Sequence, residues 1–404
     1  MAGSPAHTPA GPVAPAVVPD AARPDAPTIA SVDCFHVPLP ARAAFILAGG
    51  AFAQQGAPSP RVFVRVRDAE GDEGWGEATP CPTWTYETAE SIVSAVRGYL
   101  APAVIGRSAW DLNGIHHAMD RAISPGWSRG QPLAKAAVDV AVHDLLGRRL
   151  GVPVHRLLGG RRVPTITLAY IVSCERPEEA ADEARRGLAS GYEAFKVKVG
   201  MHGLAGDLAM VQAVRRVVGP DRFLWVDANQ GYTPDAALRQ ARALEALGVA
   251  VFEQPVPADA ISGLQRLLAN CPLPVALDES LRDPAEVFEL ARLGAVGGVI
   301  LKVQRSGGFH PGRAMAAVAD AARLPLLGSG LCETDLGLIA SVHLFAAAGV
   351  TVPVDLNGRQ FVESPFASGI EVGPGKAARV PDGPGLGITI DGAWIAAHAT
   401  AVSL

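Results

Sequence analysis

The second half of the chain alternates short, continuous apolar runs with longer segments that carry helix signals. Parallel strands have such runs because both of their faces are covered. The runs predict eight strands, near residues 163–171, 193–198, 222–227, 249–253, 273–277, 297–302, 324–328 and 350–354. Between them, helix starts are predicted at Thr233 and at Asp283, where Glu286 adds a capping-box pattern.

Eight strands with intervening helices predict a (β/α) barrel. The alternative is an open, doubly wound sheet, which would need a glycine-rich turn after its first strand to hold a phosphate. Residues 170–174 read Tyr-Ile-Val-Ser-Cys at that point. The barrel is therefore favoured, and its functional site is expected at the carboxyl ends of the strands.

The first 155 residues follow a different pattern. Arg61–Arg67 alternates polar and apolar residues like a half-buried strand, and residues 31–76 predict further strands joined by turns. A long helix is predicted from Gln131 to Arg149. This region predicts an α+β unit. Residues 1–27, mostly Ala, Pro, Val and Gly, predict a disordered tail.

Composition narrows the classes of function. The 404 residues are 49% hydrophobic and carry a net charge of -5, which argues against nucleic acid or an anionic membrane as a partner. No apolar run is long enough for a membrane span, and no signal-peptide pattern opens the chain. The five cysteines lack metal or redox spacing, so we expect a reducing cytoplasm.

Charged residues end five successive predicted strands. Lys198, Asp227, Glu253, Asp278 and Lys302 follow one another at intervals of 24 to 29 residues. Because the carboxyl ends of barrel strands surround one mouth, we expect these side chains to form a ring. A single strand-end carboxylate usually caps a helix or meets an arginine, but the whole ordered set predicts a site.

The three carboxylates of this ring predict a site for a hard divalent cation. Asp227, Glu253 and Asp278 would supply one oxygen each to Mg²⁺, which prefers oxygen ligands. No His or Cys joins them, which argues against zinc. Such a cation can bind a substrate carboxylate and stabilise the charge that develops when the adjacent carbon loses its proton.

The lysines predict the bases for that proton. Lys196 lies two residues before Lys198 and faces the same side of the strand, where it supplies a like charge that favours a lower pKa for Lys198. Lys302 ends the sixth strand, four steps around the ring from the second. We therefore expect Lys198 and Lys302 on opposite faces of one substrate carbon.

At these residues the chain resembles the enolase superfamily and, within it, the muconate lactonizing enzyme subgroup of the mandelate racemase/muconate lactonizing enzyme family. The resemblance extends from about residue 30 to 395. Its motifs are Glu73-Gly-Trp-Gly-Glu77, Ala136–Asp144, Leu158-Gly-Gly160, Phe195–Gly200, Asp227-Ala-Asn229, Glu253-Gln-Pro255, Asp278-Glu-Ser280, Leu301-Lys-Val303 and Pro384–Gly387.

The resemblance implies a fold and a cofactor. The implied α/β fold is a (β/α)7β TIM-like barrel, residues 156–374, with an N-terminal α+β capping domain, residues 28–155, which about 375–404 complete. It also implies one Mg²⁺, an enolate intermediate and symmetric homo-oligomers.

The resemblance also implies roles for the residues of the ring. Asp227, Glu253 and Asp278 match metal ligands, and Glu279 is a less favoured third ligand. Lys198 and Lys302 match the acid/base pair. Lys196 matches the accompanying lysine, and Asn229 matches a polar neighbour of the first ligand.

The resemblance points to two capping-domain loops and the last strands for substrate specificity. Phe45–Pro58 predicts a lid. Trp84 and Tyr170 are candidate substrate contacts, with ordinary packing as the alternative. Glu333 matches a glutamate of the subgroup, although a helix-start carboxylate is its alternative role.

The segment after the eighth strand bears on the substrate. In Asp355-Leu-Asn357, the asparagine replaces the second aspartate of the Asp-x-Asp with which dipeptide epimerases of the subgroup hold a substrate ammonium. Asp355 therefore remains as a partner for a substrate ammonium, but one carboxylate would bind an ammonium more weakly than two.

These observations predict a Mg²⁺-dependent isomerase that removes the proton α to a carboxylate of a small molecule. Racemisation or epimerisation of an amino-acid derivative is the leading hypothesis. Muconate-type cycloisomerisation is the second, and dehydration of a hydroxylated cyclic amino acid such as hydroxyproline is the third. Outside the superfamily, a lysine Schiff-base aldolase and a catalytically silent binding protein are the alternatives.

Overall fold

The computed structural model describes residues 27–126 and 128–402. The predicted tail, residues 1–27, lies outside the described residues except for Pro27. Within the described part, no helix is long and apolar enough to cross a membrane.

The N-terminal region is built on an antiparallel sheet. The strands are β1 (Ile29–Pro40), β2 (Phe45–Leu47), β3 (Gly50–Ala53), β4 (Pro58–Asp68) and β5 (Glu73–Ala78). The strand order of the sheet is β1-β4-β5, and β2 pairs with β3 in a separate hairpin. Asp68 makes the β4–β5 turn because its Oδ1 accepts the N–H groups of Glu70 and Asp72.

Helices follow this sheet in the chain and pack against it, as expected of the predicted α+β unit. They are α1 (Ala89–Ala95), which continues through a π-helical turn (Val96–Leu100) into α2 (Ala101–Val104), then α3 (Leu112–Ala122) and α4 (Pro132–Leu150). Helix α4 packs so closely on β5 that a Cβ on Gly74 or Gly76 would overlap the carbonyl oxygens of Ala141 and Ala137. The two glycines of the Glu73–Glu77 motif therefore serve this contact.

The second region is the predicted barrel. Its strands are β6 (Thr165–Thr167), β7 (Tyr170–Val172), β8 (Ala194–Lys198), β9 (Phe223–Asp227), β10 (Val251–Glu253), β11 (Val275–Ala276), β12 (Val299–Leu301) and β13 (Leu326–Gly328). Parallel strands run in the order β7-β8-β9-β10-β11, and β12 pairs in parallel with β13.

Single parallel bridges complete the ring of strands. Leu277 pairs with Val299, and the predicted eighth strand near 350–354 pairs on its two sides through Val354 with Leu168 and through Asp355 with Ser329. The first predicted strand, 163–171, is divided, because β6 pairs antiparallel with the C-terminal segment before β7 enters the barrel. The chain thus folds as a (β/α)7β TIM-like barrel with an N-terminal α+β capping domain.

Helix α5 (Val154–Leu157) precedes the first barrel strand, and the other helices follow barrel strands. These are α6 (Pro177–Ala189), α7 (Gly203–Val218), α8 (Pro234–Glu245), α9 (Ile261–Asn270), α10 (Pro284–Arg292), α11 (Val303–Ser306), α12 (Phe309–Ala321), α13 (Asp335–Ala348) and α14 (Gly358–Phe361). The Thr233 and Asp283 side chains cap α8 and α10, as predicted. The capping box is wrong, because Glu286 accepts the N–H of Arg282 and pairs with Arg129 instead of returning to Asp283.

The C-terminal segment returns to the N-terminal sheet. The amide N–H of Thr400 donates to the carbonyl of His36 on β1, and Trp394 packs on Phe366. Asp144 of α4 accepts the N–H of Leu386 at 2.7 Å. Its elements are β14 (Ala367–Ser368), a 3₁₀ turn (Pro374–Lys376), β15 (Ala377–Arg379), β16 (Thr389–Ile390) and α15 (Gly392–Ala397).

Candidate active site

Strand register brings the first three residues of the predicted ring side by side. Lys198 on β8 stands opposite Asp227 on β9, and Asp227 stands opposite Glu253 on β10. Lys196 faces the same side as Lys198 because successive strand residues alternate between faces. These side chains therefore meet at the mouth of the barrel, as predicted.

Lys196 is the centre of a fully buried ion network. Its Nζ lies 2.7 Å from Asp355 Oδ2, 2.8 Å from Glu253 Oε2 and 3.0 Å from Asp227 Oδ2. Burial disfavours its charged form, but the three carboxylates outweigh burial and raise the pKa of Lys196 well above its usual value. Lys196 is therefore a fixed cation rather than a base.

The two candidate bases each rest on a carboxylate. Lys198 Nζ donates to Asp227 Oδ2 at 2.7 Å, and Lys302 Nζ donates to Asp278 Oδ2 at 2.7 Å. Lys302 also lies 4.4 Å from the ring centroid of Trp84. Burial opposes ionisation of Asp227, but Lys196 and Lys198 hold the pKa of that carboxyl below its usual range.

Arg305 is a site residue that the sequence reasoning missed. It is buried, its Nη1 pairs with Asp278 Oδ1, and its Nη2 donates to the carbonyl of Ile300. Burial lowers the pKa of Arg305 to about 9. Its position three residues after Lys302, one turn along α11, is the signal that could have identified it.

The donor set fits Mg²⁺, which would bind to Asp227, Glu253 and Asp278. Among the described residues, Oε1 of Glu253 has no hydrogen-bond partner, whereas Oε2 forms the ion pair with Lys196. Burial together with Asp227 raises the pKa of Glu253 to about 7. A buried carboxylate oxygen without a donor is suited to a hard cation.

The three carboxylates are not drawn together around one point in this structure. Lys196, Lys198, Lys302 and Arg305 bind them instead. Accordingly, residues 27–126 and 128–402 contain no group of three or more His, Cys, Asp or Glu at metal-ligand spacing. Binding a cation would therefore require these amines and the guanidinium to give up carboxylate oxygens.

Asn229 and Glu279 lie beside Asp227, the first of the predicted ligands. The N–H of Asn229 donates to Asp227 Oδ1 at 2.9 Å, and its side-chain amide donates to Glu279 Oε1 at 3.1 Å. Trp84 Nε1 donates to the same Glu279 oxygen at 3.1 Å. Asn229 therefore orients the first carboxylate, and Glu279 links it to the capping domain.

A small cavity lies over these groups, between the barrel and the capping domain. Both candidate bases line it, together with four of the predicted neighbours. The lining residues are Phe45, Leu47, Cys81, Trp84, Lys198, Asn229, Lys302, Gly330, Leu331, Cys332, Asp355 and Asn357.

The predicted lid loop contributes the β2–β3 hairpin to this cavity. Phe45 and Leu47 lie on its wall. Ser173, which follows β7, ties the hairpin to the barrel, because its Oγ accepts the N–H of Ile46 at 3.1 Å and donates to the Ile46 carbonyl at 2.6 Å. The lid residues thus contact the first barrel strand.

Tyr170 is not at the cavity, so its prediction as a substrate contact is wrong. Its register partner is Phe195, which faces away from Lys196, and its hydroxyl lies 2.6 Å from Glu183 on α6. The next residue, Ile171, pairs with Lys196 instead. The alternation of the strand therefore directs Ile171, not Tyr170, to the inside.

Glu333 also stays out of the cavity wall. It is buried beside Glu77, and its Oε1 accepts no hydrogen bond from the described residues. Burial raises the pKa of Glu333 to about 7. It lies immediately after Cys332, which does line the cavity.

The N-terminal region matches the mandelate racemase/muconate lactonizing enzyme N-terminal domain over residues 30–159, and residues 179–394 match the enolase C-terminal domain-like family. The chain belongs to the mandelate racemase/muconate lactonizing enzyme family. Within the enolase superfamily, its relatives are racemases, epimerases and cycloisomerases, so this family member is an isomerase of that superfamily. The Schiff-base aldolase is thereby set aside.

Three relatives illustrate the range of this family. N-succinyl-L-Arg/Lys racemase from Bacillus cereus is 31% identical, covering 90% of this chain and 95% of the relative. Chloromuconate cycloisomerase from Pseudomonas putida is 33% identical, covering 82% and 89%. The structure of a dipeptide epimerase from Cytophaga hutchinsonii, complexed with Mg and D-Ala-L-Val, has a TM-score of 0.85 and 26% identity, covering 92% of this chain and 98% of that one.

Proposed function

We propose that this enzyme inverts the carbon next to the carboxylate of an N-acylated amino acid. One lysine would remove the proton from one face of that carbon, and the other would return a proton to the opposite face. The observation that carries the proposal is that Lys198 and Lys302 line one cavity from the second and sixth strands of an eight-strand ring.

The proton transfers follow from these positions. In one direction Lys198 Nζ takes the proton, the C–H bond breaks and an N–H bond forms, and the carbon becomes the planar carbon of an enolate. Lys302 Nζ then donates a proton to the other face. Each amine must first leave its aspartate, Asp227 or Asp278, to reach the substrate.

Asp227, Glu253 and Asp278 are the residues that would hold Mg²⁺. A bound Mg²⁺ supplies a Lewis acid that holds the substrate carboxylate and stabilises its developing negative charge. Lys196 adds a second positive charge from the floor of the site.

The low net charge of the cavity wall formed by Asp355 and Asn357 supports a substrate whose amino group is acylated. Asp355 Oδ2 is bound to Lys196, which offsets its charge, and Asn357 is neutral. An ammonium group would find weak compensation there, whereas an amide N–H needs only one acceptor, such as Asp355 Oδ1, which lacks a partner among the described residues. The Bacillus cereus relative, named for N-succinyl amino acids, agrees with this choice.

Cycloisomerisation is the second candidate, because a chloromuconate cycloisomerase is as similar to this chain as the racemase is. A cycloisomerase forms a lactone and needs no inversion at a carbon. Production of muconolactone from cis,cis-muconate, without proton exchange on acyl amino acids, would favour that candidate. Release of a keto acid from hydroxyproline would favour dehydration.

The decisive experiment follows α-proton exchange in D₂O by NMR, with N-succinyl-L-arginine and N-succinyl-D-arginine as separate probes. We expect wild-type enzyme to exchange both. Lys198→Ala and Lys302→Ala should each lose racemisation by about 10³-fold or more. Each should retain exchange of only one enantiomer, because the remaining base reaches only one face.

Lys376→Ala, a lysine distant from the cavity, serves as the control and should exchange both enantiomers at the wild-type rate. Treatment with EDTA should abolish exchange, and added MgCl₂ should restore it. Equal loss of exchange of both enantiomers in a single lysine variant would contradict chemistry by two opposed bases.

A further inference from the structure

The end of strand β5 makes polar contacts with two active-site loops of the barrel. Glu77 and Thr79, on the capping sheet, are buried along with their partners. Thr79 contacts the turn that follows Lys302, and Glu77 contacts the start of α13, which follows Cys332. These contacts join residues that are 225 to 260 positions apart in the chain.

Thr79 and Gln304 hold each other through both of their polar groups. The N–H of Thr79 donates to Gln304 Oε1 at 2.7 Å, and Gln304 Nε2 donates to Thr79 Oγ1 at 3.2 Å. Gln304 lies two residues after Lys302, in the single turn of α11 that begins there, where the N–H of Ser306 donates to the Lys302 carbonyl. The capping sheet thus fixes the backbone from which Lys302 projects.

Glu77 extends the same network to the other wall of the cavity. Its Oε1 accepts hydrogen bonds from the Thr79 hydroxyl at 3.3 Å and from the N–H of Thr334 at 2.9 Å. Its Oε2 accepts hydrogen bonds from the Thr334 hydroxyl at 2.6 Å and from the N–H of Gly337 at 3.0 Å. The chain Gln304–Thr79–Glu77–Thr334 is therefore continuous from one catalytic loop to the next.

We propose that Thr79 and Gln304 are positioning residues for Lys302, setting the height and direction of this base over the substrate carbon. This inference rests on the two-base function proposed above. At rest, Lys302 Nζ is held by Asp278, but it must leave that carboxylate to act. Its flexible four-carbon stem then depends on a fixed backbone, and the reciprocal amide contact of Gln304 provides it.

Among the described residues, Lys198 has no such link to β5. It ends strand β8, where pairing with Asp227 on β9 holds its backbone. Loss of the Thr79–Gln304 contact should therefore slow proton exchange at one face of the substrate carbon and not at the other. If the contact served only domain docking, its loss would slow exchange at both faces.

The test compares two variants with Thr79→Ser, which keeps the hydroxyl. Gln304→Leu removes both contacts at nearly constant volume, whereas Thr79→Val removes the hydroxyl contact and keeps the backbone N–H of Thr79. Gln240→Leu is the matched control, because Gln240 on α8 is equally buried and its Nε2 has no partner among the described residues. Exchange in D₂O is followed separately for the two N-succinylarginine enantiomers. Lys302→Ala first identifies the enantiomer that depends on Lys302.

We expect Gln304→Leu to slow exchange of that enantiomer by about tenfold or more and Thr79→Val to slow it by a smaller factor, with the other enantiomer changed less than about twofold in both. Thr79→Ser and Gln240→Leu should exchange both at near wild-type rates. The double variant should be no slower than Gln304→Leu, because that single variant already lacks both contacts. Equal slowing of the two enantiomers, or no slowing, would overturn the inference.

Amide hydrogen exchange of residues 302–308 provides a readout independent of turnover. Protection there should fall in Gln304→Leu and not in Gln240→Leu; unchanged protection overturns the positioning role even in an enzyme that exchanges neither probe. Wild-type enzyme that exchanges neither enantiomer would instead contradict the proposed function.

Discussion

At the residue scale, the barrel mouth is a set of amines and carboxylates that largely neutralise one another. Lys196 alone contacts Asp227, Glu253 and Asp355. A buried charge is tolerated only when it is paired, so each of these groups limits the charge that its neighbour can offer to a ligand. The specificity of the cavity for a substrate therefore depends on which carboxylate oxygens are not already paired with a lysine or arginine.

Asn357 is the residue at which this balance can be changed. Asn357→Asp would add a carboxylate beside Asp355 on the cavity wall. We expect the kcat/KM ratio for a dipeptide with a free ammonium, such as L-Ala-L-Glu, over N-succinyl-L-arginine to rise by about tenfold or more, because a charge-assisted hydrogen bond replaces a neutral one. Steady-state epimerisation rates measure this ratio.

Asn270→Asp makes the same change on exposed α9 and should leave the ratio unaltered. A ratio that stays at the wild-type value in Asn357→Asp would mean that the substrate amino group is bound elsewhere.

At the element scale, helix α4 shows how a distant residue can complete a helix. The side chain of Gln131, which precedes α4, caps none of its N–H groups. Instead, Glu87 accepts the N–H groups of Leu133 at 2.8 Å and Ala134 at 3.1 Å. The carboxylate thus satisfies two donors that the first turn cannot satisfy itself.

Glu87 should make stability depend on pH. Burial raises the pKa of Glu87 from 4.5 to about 7, so the folded state holds a proton that the unfolded state releases. Its contribution is full below pH 4.5 and is lost as pH rises through 7, by about 3 kcal/mol in all. Urea unfolding of wild type and Glu87→Gln across this range should show a difference in unfolding free energy that falls with pH.

Glu363→Gln, an exposed carboxylate, controls for the loss of one charge and should differ from wild type by a nearly constant amount. A constant difference for Glu87→Gln as well would count against the buried-proton explanation.

At the scale of the whole molecule, Asp144 joins three parts of the chain. From α4, its Oδ2 accepts the N–H of Trp75 on β5 at 3.0 Å, and its Oδ1 accepts the N–H of Leu386 at 2.7 Å and Arg148 Nε at 3.1 Å. Gly385 fits against it because a Cβ there would overlap Asp144 Oδ1. The capping sheet, the long helix and the C-terminal segment therefore share one buried acceptor.

Removing this acceptor should loosen the C-terminal segment. Asp144→Ala leaves two buried N–H groups and one cation without their partner, so we expect a loss of about 3 to 5 kcal/mol in unfolding free energy. Amide protection of residues 381–402 should fall more than that of the barrel strands.

The control for that variant is Asp391→Ala, which removes only the surface cap of α15 and should cost about 1 kcal/mol. Similar losses for the two aspartates would show that Asp144 acts merely as a local cap.

The sequence by itself predicted the barrel and the ring of charged residues. The apolar runs located the strands, and a charged residue at the end of each run had to meet the others, because parallel strands share one carboxyl edge. Lys198 and Lys302 could thus be paired from spacing alone. Asp227, Glu253 and Asp278 remain predicted ligands, supported by Oε1 of Glu253, which has no hydrogen-bond partner among the described residues.

Tertiary structure decided which face each residue presents and what it touches. Successive residues of β7 face opposite sides of the strand. Ile171 faces the inside of the barrel with its register partner Lys196, so Tyr170 faces outward. Arg305 reaches Asp278 only through the turn of α11, and Thr79 reaches Gln304 across the junction of the capping sheet and the barrel. Local sequence patterns do not predict such long-range contacts, because these contacts form only when the sheet, the helix and the barrel pack together.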